Sequence, residues 1–312
     1  MHDATHDATA ARTDTPGGEP PPRPDAVLVQ KLIATAFPQW AVLPVRPVGT
    51  AGTANAMFRL GTDMVVRLPL TGGSAADIEK ERDWLPQLAP QLPVSVPVPL
   101  ETAPPGPDFP HPWAVHRWLD GHTPTVGRIA EPGLLARDVA RFVAALRGVD
   151  PTGAPRSYRG EPLTARDAQT RASIAELDTV VDTGAVTAAW ESALSAPAPS
   201  GPPVWIHADL QPGNLLVDHA HDRLAAVIDF ACTGVGDPAV DLIVAWYVLP
   251  AEVRRIFRLA LGDDDATWAR GRGWALSIAL AELAHYRGRD ATMTANAEHV
   301  VREVLADGTA FR

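Results

Sequence analysis

The segment Val204-Trp-Ile-His-Ala-Asp-Leu-Gln-Pro-Gly-Asn-Leu-Leu-Val217 enters as an apolar strand, turns through a polar loop at Pro212 and Gly213, and leaves as a second apolar strand. Three side chains able to handle protons or cations, His207, Asp209 and Asn214, therefore share one loop. Farther on, the strand Leu224-Ala-Ala-Val-Ile-Asp-Phe230 carries Asp229 at its C-terminal end. Two strands flanking a short hairpin would bring Asp209, Asn214 and Asp229 to one edge. Two carboxylates and a neutral amide oxygen suit a hard, oxygen-loving ion such as Mg²⁺. Two of the groups can hold the ion while the third orients a hydroxyl, as phosphoryl transfer requires. A lone His-x-Asp is usually a turn pair. The spacing His-x-Asp-x-x-x-x-Asn, followed by an apolar strand and Ile-Asp-Phe, is far more specific, because both acids sit beside strand residues where burial without a partner is costly.

A second constellation lies in the first third of the chain. Val48-Gly49-Thr-Ala-Gly52-Thr-Ala-Asn55-Ala-Met-Phe58 reads as strand, small-residue turn and strand. Small side chains let backbone N–H groups approach phosphate oxygens, although the Lys-Ser/Thr ending of a Walker A loop is absent. In Met64-Val-Val-Arg67-Leu-Pro69 a cation interrupts an apolar strand. Ile78, Glu81 and Leu85 fall on one helical stripe, which turns Glu81 toward the core, whereas Glu79 points away from it. A core-facing carboxylate needs a cation, and Arg67 is the obvious one. A plain structural ion pair and two solvated charges are the other readings.

With these residues in place, the chain resembles the aminoglycoside phosphotransferase and choline kinase-type small-molecule kinases, which share the protein kinase-like fold. His207-Ala-Asp209-Leu-Gln-Pro-Gly-Asn214 is similar to the family's catalytic loop, and Ile228-Asp229-Phe230 to its metal-binding segment. Gly236-Asp237-Pro238-Ala-Val-Asp241-Leu242 is also typical of the group. The resemblance extends over residues 27–305. It implies that Asp209 orients or deprotonates the acceptor hydroxyl, that His207 supports the loop within the catalytic set, and that Asn214 and Asp229 are Mg²⁺ ligands. The turn with Gly49, Gly52 and Asn55 would cover the phosphates of ATP or GTP. Arg67 stands where the family has a lysine that contacts the α- and β-phosphates and pairs with the helix glutamate, here Glu81. Backbone groups around Val115–Trp118 would meet the purine edge. Asp237 has a local explanation, capping a helix that starts at Pro238. Asp241 is ambiguous, a tie by hydrogen bonds to the catalytic loop being one use for it.

The elements that must position these residues change character near residue 120. Before it the pattern predicts a helix over 26–37, strands over 42–48, 56–60, 64–68, 96–100 and 113–118, and a helix from a capping box at Ser74 to Leu85, limited by Pro86. After it come helices over 132–146, 163–182 and 186–194, then strands 204–206 and 224–228. A helical block follows over 238–246, 251–261, 265–286 and 294–305. The expected fold is α+β and bilobal: a small antiparallel-sheet N-lobe over 25–118 and a larger, mainly helical C-lobe over 119–312. Residues 1–24, rich in small, polar, Pro and Gly residues, read as a disordered tail.

Composition bounds the function. In 312 residues there are 37 acidic and 27 basic side chains, a net charge of −10, which argues against a nucleic-acid binder and is consistent with a cationic acceptor. One cysteine, Cys232, excludes an intrachain disulfide and a thiolate metal cluster. No apolar run reaches the length of a membrane span and no signal-peptide core opens the chain, so a cytoplasmic protein without a membrane partner is expected, as monomer or homodimer. Acceptor recognition is expected from the C-lobe, with Asp263, Asp264, Asp265 and Glu282 as acids and Trp268, Trp274 and Tyr286 as walls, although Asp263–Asp265 also reads as a solvated helix start. The leading function is phosphoryl transfer from ATP or GTP to a hydroxyl of a small molecule, an aminoglycoside or other antibiotic. A catalytically weak nucleotide-binding sensor is the alternative, suggested by Arg67. A metal-dependent phosphohydrolase has the right ligand types but leaves the Arg67–Glu81 pair and the glycine turn unexplained.

Overall fold

The computed structural model describes residues 23–49 and 54–309. Gly52 and the expected tail up to residue 22 lie outside the described residues. The fold is α+β, and the chain divides into two compact units: residues 23–120 with Ala226–Ala231, and Gly121–Ala225 with residues 232–309.

The first unit is built on an antiparallel sheet. Its strands are β1 (Val45–Pro47), β2 (Asn55–Leu60), β3 (Met64–Pro69), β4 (Pro99–Ala103) and β5 (Trp113–Arg117), in the order β1-β2-β3-β5-β4. Helix α1 (Ala26–Ala36) is capped by the Asp25 side chain, which accepts from the Leu28 N–H at 2.8 Å. Val29, Ile33 and Phe37 pack with Phe58, Leu60, Val66, Leu68, Trp113 and Val115 into one apolar cluster. Helix α2 (Gly72–Leu88) packs on β3, β4 and β5. Because its strand neighbours and packed helices cover both faces, every residue of β3 is buried, Arg67 included.

Three boundaries differ from the expected ones. Thr71 rather than Ser74 caps α2, its hydroxyl accepting from the Ser74 N–H at 3.2 Å, and the helix continues through Pro86. The proline falls in the last turn, which the buried Leu85 and Leu88 anchor, so the loss of one backbone bond there is tolerated. Strand β1 begins only at Val45, because Trp40–Leu43 is spent on a turn in which the Leu43 N–H donates to the Trp40 carbonyl at 3.0 Å. Strand β4 starts three residues late. Val98 N–H donates to the Val96 carbonyl, and the ladder with β5 then shifts register between Pro99 and Glu101.

The second unit is mainly helical. In chain order it has α3 (Pro132–Arg147), α4 (Asp167–Glu176), α5 (Thr183–Leu194), β6 (Val204–Ile206), β7 (Leu215–Val217), β8 (Leu224–Val227), β9 (Gly234–Gly236), α6 (Val244–Tyr247), α7 (Ala251–Leu261), α8 (Asp265–Tyr286) and α9 (Ala291–Thr309). Strand β6 pairs with β9, and β7 with β8. From Ala226, midway along β8, the chain belongs to the first unit, where the Val227 N–H donates to the Ser95 carbonyl at 3.0 Å. Helix α8 is buried almost all round from Trp268 to Leu283, with α4, α5 and α9 packed on it.

The single helix expected over 163–182 is a 3₁₀ turn (Leu163–Arg166) followed by α4, because Asp182 is drawn off to cap α5, accepting from the Ala185 N–H at 3.0 Å. Residues 238–243 are likewise 3₁₀, with Asp237 capping the Ala239 N–H at 3.0 Å. Strand β9 carries no strand signal in its sequence, Gly-Val-Gly. Its glycines are there for close approach: a Cβ on Gly234 would lie 2.4 Å from Ser157 N, and one on Gly236 2.6 Å from Gly160 Cα. The segment 155–157 is pinned there by the Val235 N–H to the Pro155 carbonyl, 2.8 Å, and by the Ser157 N–H to the Val235 carbonyl, 3.1 Å.

Asp237 has a second partner that the cap alone did not foretell. Arg270 of α8 donates Nε to Oδ2 at 2.7 Å and Nη2 to Oδ1 at 3.2 Å, with both side chains buried. Asp237→Ala removes a cap and strands a buried guanidinium, and urea denaturation is expected to show a loss of about 3 kcal/mol. A loss below about 1 kcal/mol would mean that the pair is no stronger than a surface one.

Candidate functional site

In the helical unit, β6 delivers the chain to His207, Ala208 and Asp209. Ala208 has φ 66° and no exposure, a left-handed backbone that costs a non-glycine residue on the order of 1 kcal/mol. The Asp241 carboxylate holds it there, accepting from the His207 N–H at 3.0 Å and the Ala208 N–H at 2.7 Å. Burial pushes the Asp241 carboxyl up, against the pull of His207 and those two donors. His207 is wholly buried, stacked edge-on against Phe142, and its Nδ1 accepts from the Asp209 N–H at 3.3 Å. It sits beneath the loop.

The kinked loop presents Asp209 to three donors. Arg159 Nη1 reaches Oδ1 at 2.5 Å and the Ala208 carbonyl at 2.7 Å. Gln211 Nε2 reaches Oδ1 at 3.2 Å, and Asn214 Nδ2 reaches Oδ2 at 2.9 Å and the Asp209 carbonyl at 2.8 Å. Burial opposes the Arg159 charge, but Tyr158 and the Asp209 carboxylate outweigh it and raise its pKa well above the ordinary value. Behind Gln211 lies Glu282, which accepts from Gln211 Nε2 at 2.7 Å and from the Tyr247 hydroxyl at 2.8 Å.

In the first unit, Arg67 Nη1 donates to both oxygens of Glu81, at 2.8 and 2.7 Å. With the Asn55 side-chain oxygen turned toward the guanidinium, it accepts from Arg67 Nη2 at 3.1 Å and from Nε at 3.2 Å. Arg67 Nη2 also stands 3.8 Å from Asp229 Oδ1. Burial disfavours the cation, but Glu81 and Asp229 outweigh it and the Arg67 pKa is raised. Asp229 itself has φ 62° and a side chain that is 49% exposed, and Lys80 hydrogen-bonds the Ala231 carbonyl just beyond it.

The other sequence-predicted residues fall as follows. Gly49 is exposed. Val115 is a fully buried member of the apolar cluster, paired with Val66 and Glu101 in the ladder. The Trp118 N–H is spent on the Asp63 carbonyl at 2.7 Å, and Arg59 covers its ring at 3.8 Å. Each of the four acids expected near an acceptor has a partner, and Asp264 and Asp265 stay exposed at the start of α8, as a solvated helix start would. Asp263 accepts from Arg147 at 2.9 and 3.1 Å, Asp264 caps α8, Asp265 pairs with Arg258, and Glu282 is buried as described. Trp268 and Trp274 are core residues rather than walls.

Two groups fit a hard cation. Asn214 commits its amide nitrogen to Asp209, which leaves its oxygen as the end available to an ion, and Asp229 offers a half-exposed carboxylate. Sequence reasoning missed Arg159 and the Gln211–Glu282–Tyr247 chain. Arg159 lies in a Pro/Gly-rich connection with no periodicity, so only the anchoring of that connection to β9 reveals its aim. Gln211 stands inside the motif, yet nothing in the sequence shows that a helix far along the chain supplies its partner.

Comparison with known proteins follows the same lines. No curated protein matches the chain. Among solved structures it is similar to the GDP complex of a point mutant of aminoglycoside 2′-phosphotransferase-IIIa, at 19% identity and TM-score 0.72, covering 91% of this chain and 99% of that one. The GDP and kanamycin complex of APH(2″)-IIIa matches at 20% identity and TM-score 0.71, over 89% and 98% of the two chains. The apoenzyme of macrolide 2′-phosphotransferase MphH from Brachybacterium faecium matches at 22% identity and TM-score 0.60, over 89% and 97%. At these identities the likeness is one of fold. The model of the phosphotransferase enzyme family matches residues 45–274, the stretch that carries Asn55, Arg67, Glu81, Asp209, Asn214 and Asp229, and this small-molecule kinase belongs to that family.

Proposed function

We propose that the enzyme transfers the γ-phosphoryl group of ATP or GTP to a hydroxyl of a small molecule, with hydroxylated antibiotics of the aminoglycoside and macrolide classes as the first acceptors to test. The observation that carries this reading is the setting of Asp209, an acid held by three donors on a loop bent through a left-handed alanine. Such an acid is fixed in direction before any substrate arrives. Its role is to accept the hydrogen bond of the acceptor hydroxyl and take its proton as the new O–P bond forms and the bond from γ-phosphorus to the β-phosphate oxygen breaks, releasing the nucleoside diphosphate. Asn214 and Asp229 are the residues suited to hold Mg²⁺, which when bound neutralises phosphate charge. His207 supports the loop from below. Arg67, fixed by Glu81 and Asn55, is the cation for the nucleotide phosphates. GDP and ADP in the solved complexes of similar proteins support use of a nucleotide, and the kanamycin, gentamicin and streptomycin complexes support a small hydroxylated acceptor. Antibiotic resistance is the biological role this reading implies. Asp263 and Glu282 are tied up in internal contacts, so of the four acids Asp264 and Asp265, exposed at the start of α8, are the ones left open to a cationic acceptor.

Incubation with ATP or GTP, Mg²⁺ and a panel of aminoglycosides, macrolides and hydroxylated metabolites tests the reading directly. A phosphorylated acceptor is expected. Nucleotide binding with no turnover across the panel would favour a sensor, and release of phosphate from simple esters a hydrolase. With an acceptor in hand, Asp209→Asn should lower kcat by about 10²-fold or more while leaving nucleotide KM nearly unchanged. Near-wild-type turnover would remove Asp209 from its role. Arg67→Lys is expected to lower kcat/KM for the nucleotide by about tenfold, because an ammonium cannot serve Glu81 and Asn55 with a planar fork. Full activity in that variant would show that charge alone suffices at this position.

A further inference from the structure

Glu282 has no part in the chemistry above, and it is not placed to touch an acceptor. It is only 5% exposed, and both of its oxygens are taken, by Gln211 and Tyr247. The nitrogen of Gln211 that reaches Glu282 Oε1 at 2.7 Å also reaches Asp209 Oδ1 at 3.2 Å. An amide NH₂ has two hydrogens, so Gln211 spans two carboxylates with one for each. The result is a continuous chain from Tyr247 on α6, through Glu282 on α8 and Gln211 on the loop, to Asp209.

We propose that Glu282 is a positioning residue for phosphoryl transfer, whose carboxylate holds the Gln211 amide against Asp209. The inference rests on the role given to Asp209 above. A charged acceptor draws the shared amide more firmly than a neutral acid does, so ionised Glu282 fixes the direction of Gln211. Protonation of Glu282 weakens that hold while leaving the fold in place.

The proton sits within reach of ordinary conditions. Burial pushes the Glu282 carboxyl up to about 7, against the hydrogen bonds from Tyr247 and Gln211 and the charge of Arg159, with Asp209 adding to the rise. On its own helix, Tyr286 is the further titratable neighbour, and its hydroxyl is raised first by its own burial and then by the Glu282 charge. The sign for stability follows. The folded state binds a proton at pH values where the unfolded chain has lost it, so the stabilisation is complete below the ordinary glutamate range and is lost as pH rises through about 7.

The decisive variant is Glu282→Gln, which keeps the volume, can still accept from Gln211, and does not ionise. Wild-type kcat is expected to rise about tenfold between about pH 6 and about pH 8 with a midpoint near 7. The variant should be flat across that window, fall below wild type at the upper end, and keep its nucleotide KM. A variant that retains the ionisation, or a flat wild-type profile, overturns the proposal. A second readout needs no acceptor: the side-chain amide NMR signals of Gln211 should titrate with a midpoint near 7 in wild type, not in Glu282→Gln, and with a higher midpoint in Tyr247→Phe, which loses a donor to the ionised form. Signals indifferent to pH in the wild type overturn the proposal even if the enzyme is active. If no acceptor in the panel is turned over, the functional reading fails while the amide titration still decides whether Glu282 governs Gln211.

Discussion

Asp241 accepts from the main-chain N–H groups of both His207 and Ala208, and that pair of bonds lets a non-glycine residue hold a left-handed conformation wholly out of water. Without it the loop would leave two donors unsatisfied in the core, each worth roughly 1–3 kcal/mol. The bend it secures turns the chain out of β6 and sends the Asp209 side chain toward Arg159, Gln211 and Asn214. Every later contact in the helical unit's site presupposes that turn.

Around it the charges are arranged in closed sets rather than singly. Arg67 with Glu81 and Asn55, Arg270 with Asp237, Arg159 with Asp209, and Arg147 with Asp263 each place a guanidinium on an oxygen partner with little exposure. Arginine suits such positions because its planar fork serves more than one acceptor and its charge survives burial. The same economy takes up Asp263 of the α7–α8 connection, while Asp264 and Asp265 stay at the surface. An excess of acid in the composition reports how many carboxylates the chain has, not where their partners lie.

The catalytic-loop pattern and the Arg67–Glu81 pair were legible because each rests on local spacing: a fixed run of polar residues between two apolar strands, and a carboxylate on an apolar helical stripe. Asp241's bond to the loop was visible only as one option, since it joins residues far apart in sequence. Arg159 and the partner of Gln211 were beyond reach for the same reason. The short strand Gly234–Gly236 has neither β-branched nor alternating residues, and its place is set by the backbone of residues 155–160 pressing against it. Glu282 is the opposite case, a residue expected at the acceptor whose two oxygens go to Gln211 and Tyr247. Its type was informative, but only tertiary contacts show that it faces Gln211 and Tyr247.

Two consecutive residues of α2 reach the short return segment from the second half of the chain. Lys80 binds the Ala231 carbonyl, and Glu81 is joined to Asp229 through Arg67. Adjacent helical residues project about 100° apart, so these two anchors leave the helix in different directions and together resist both sliding and rolling. Helix α2 and residues 229–231 are thus tied at two points, although residues 89–228 lie between them in sequence. A displacement of Asp229 is therefore felt at the middle of α2 through Arg67, and one of Ala231 through Lys80.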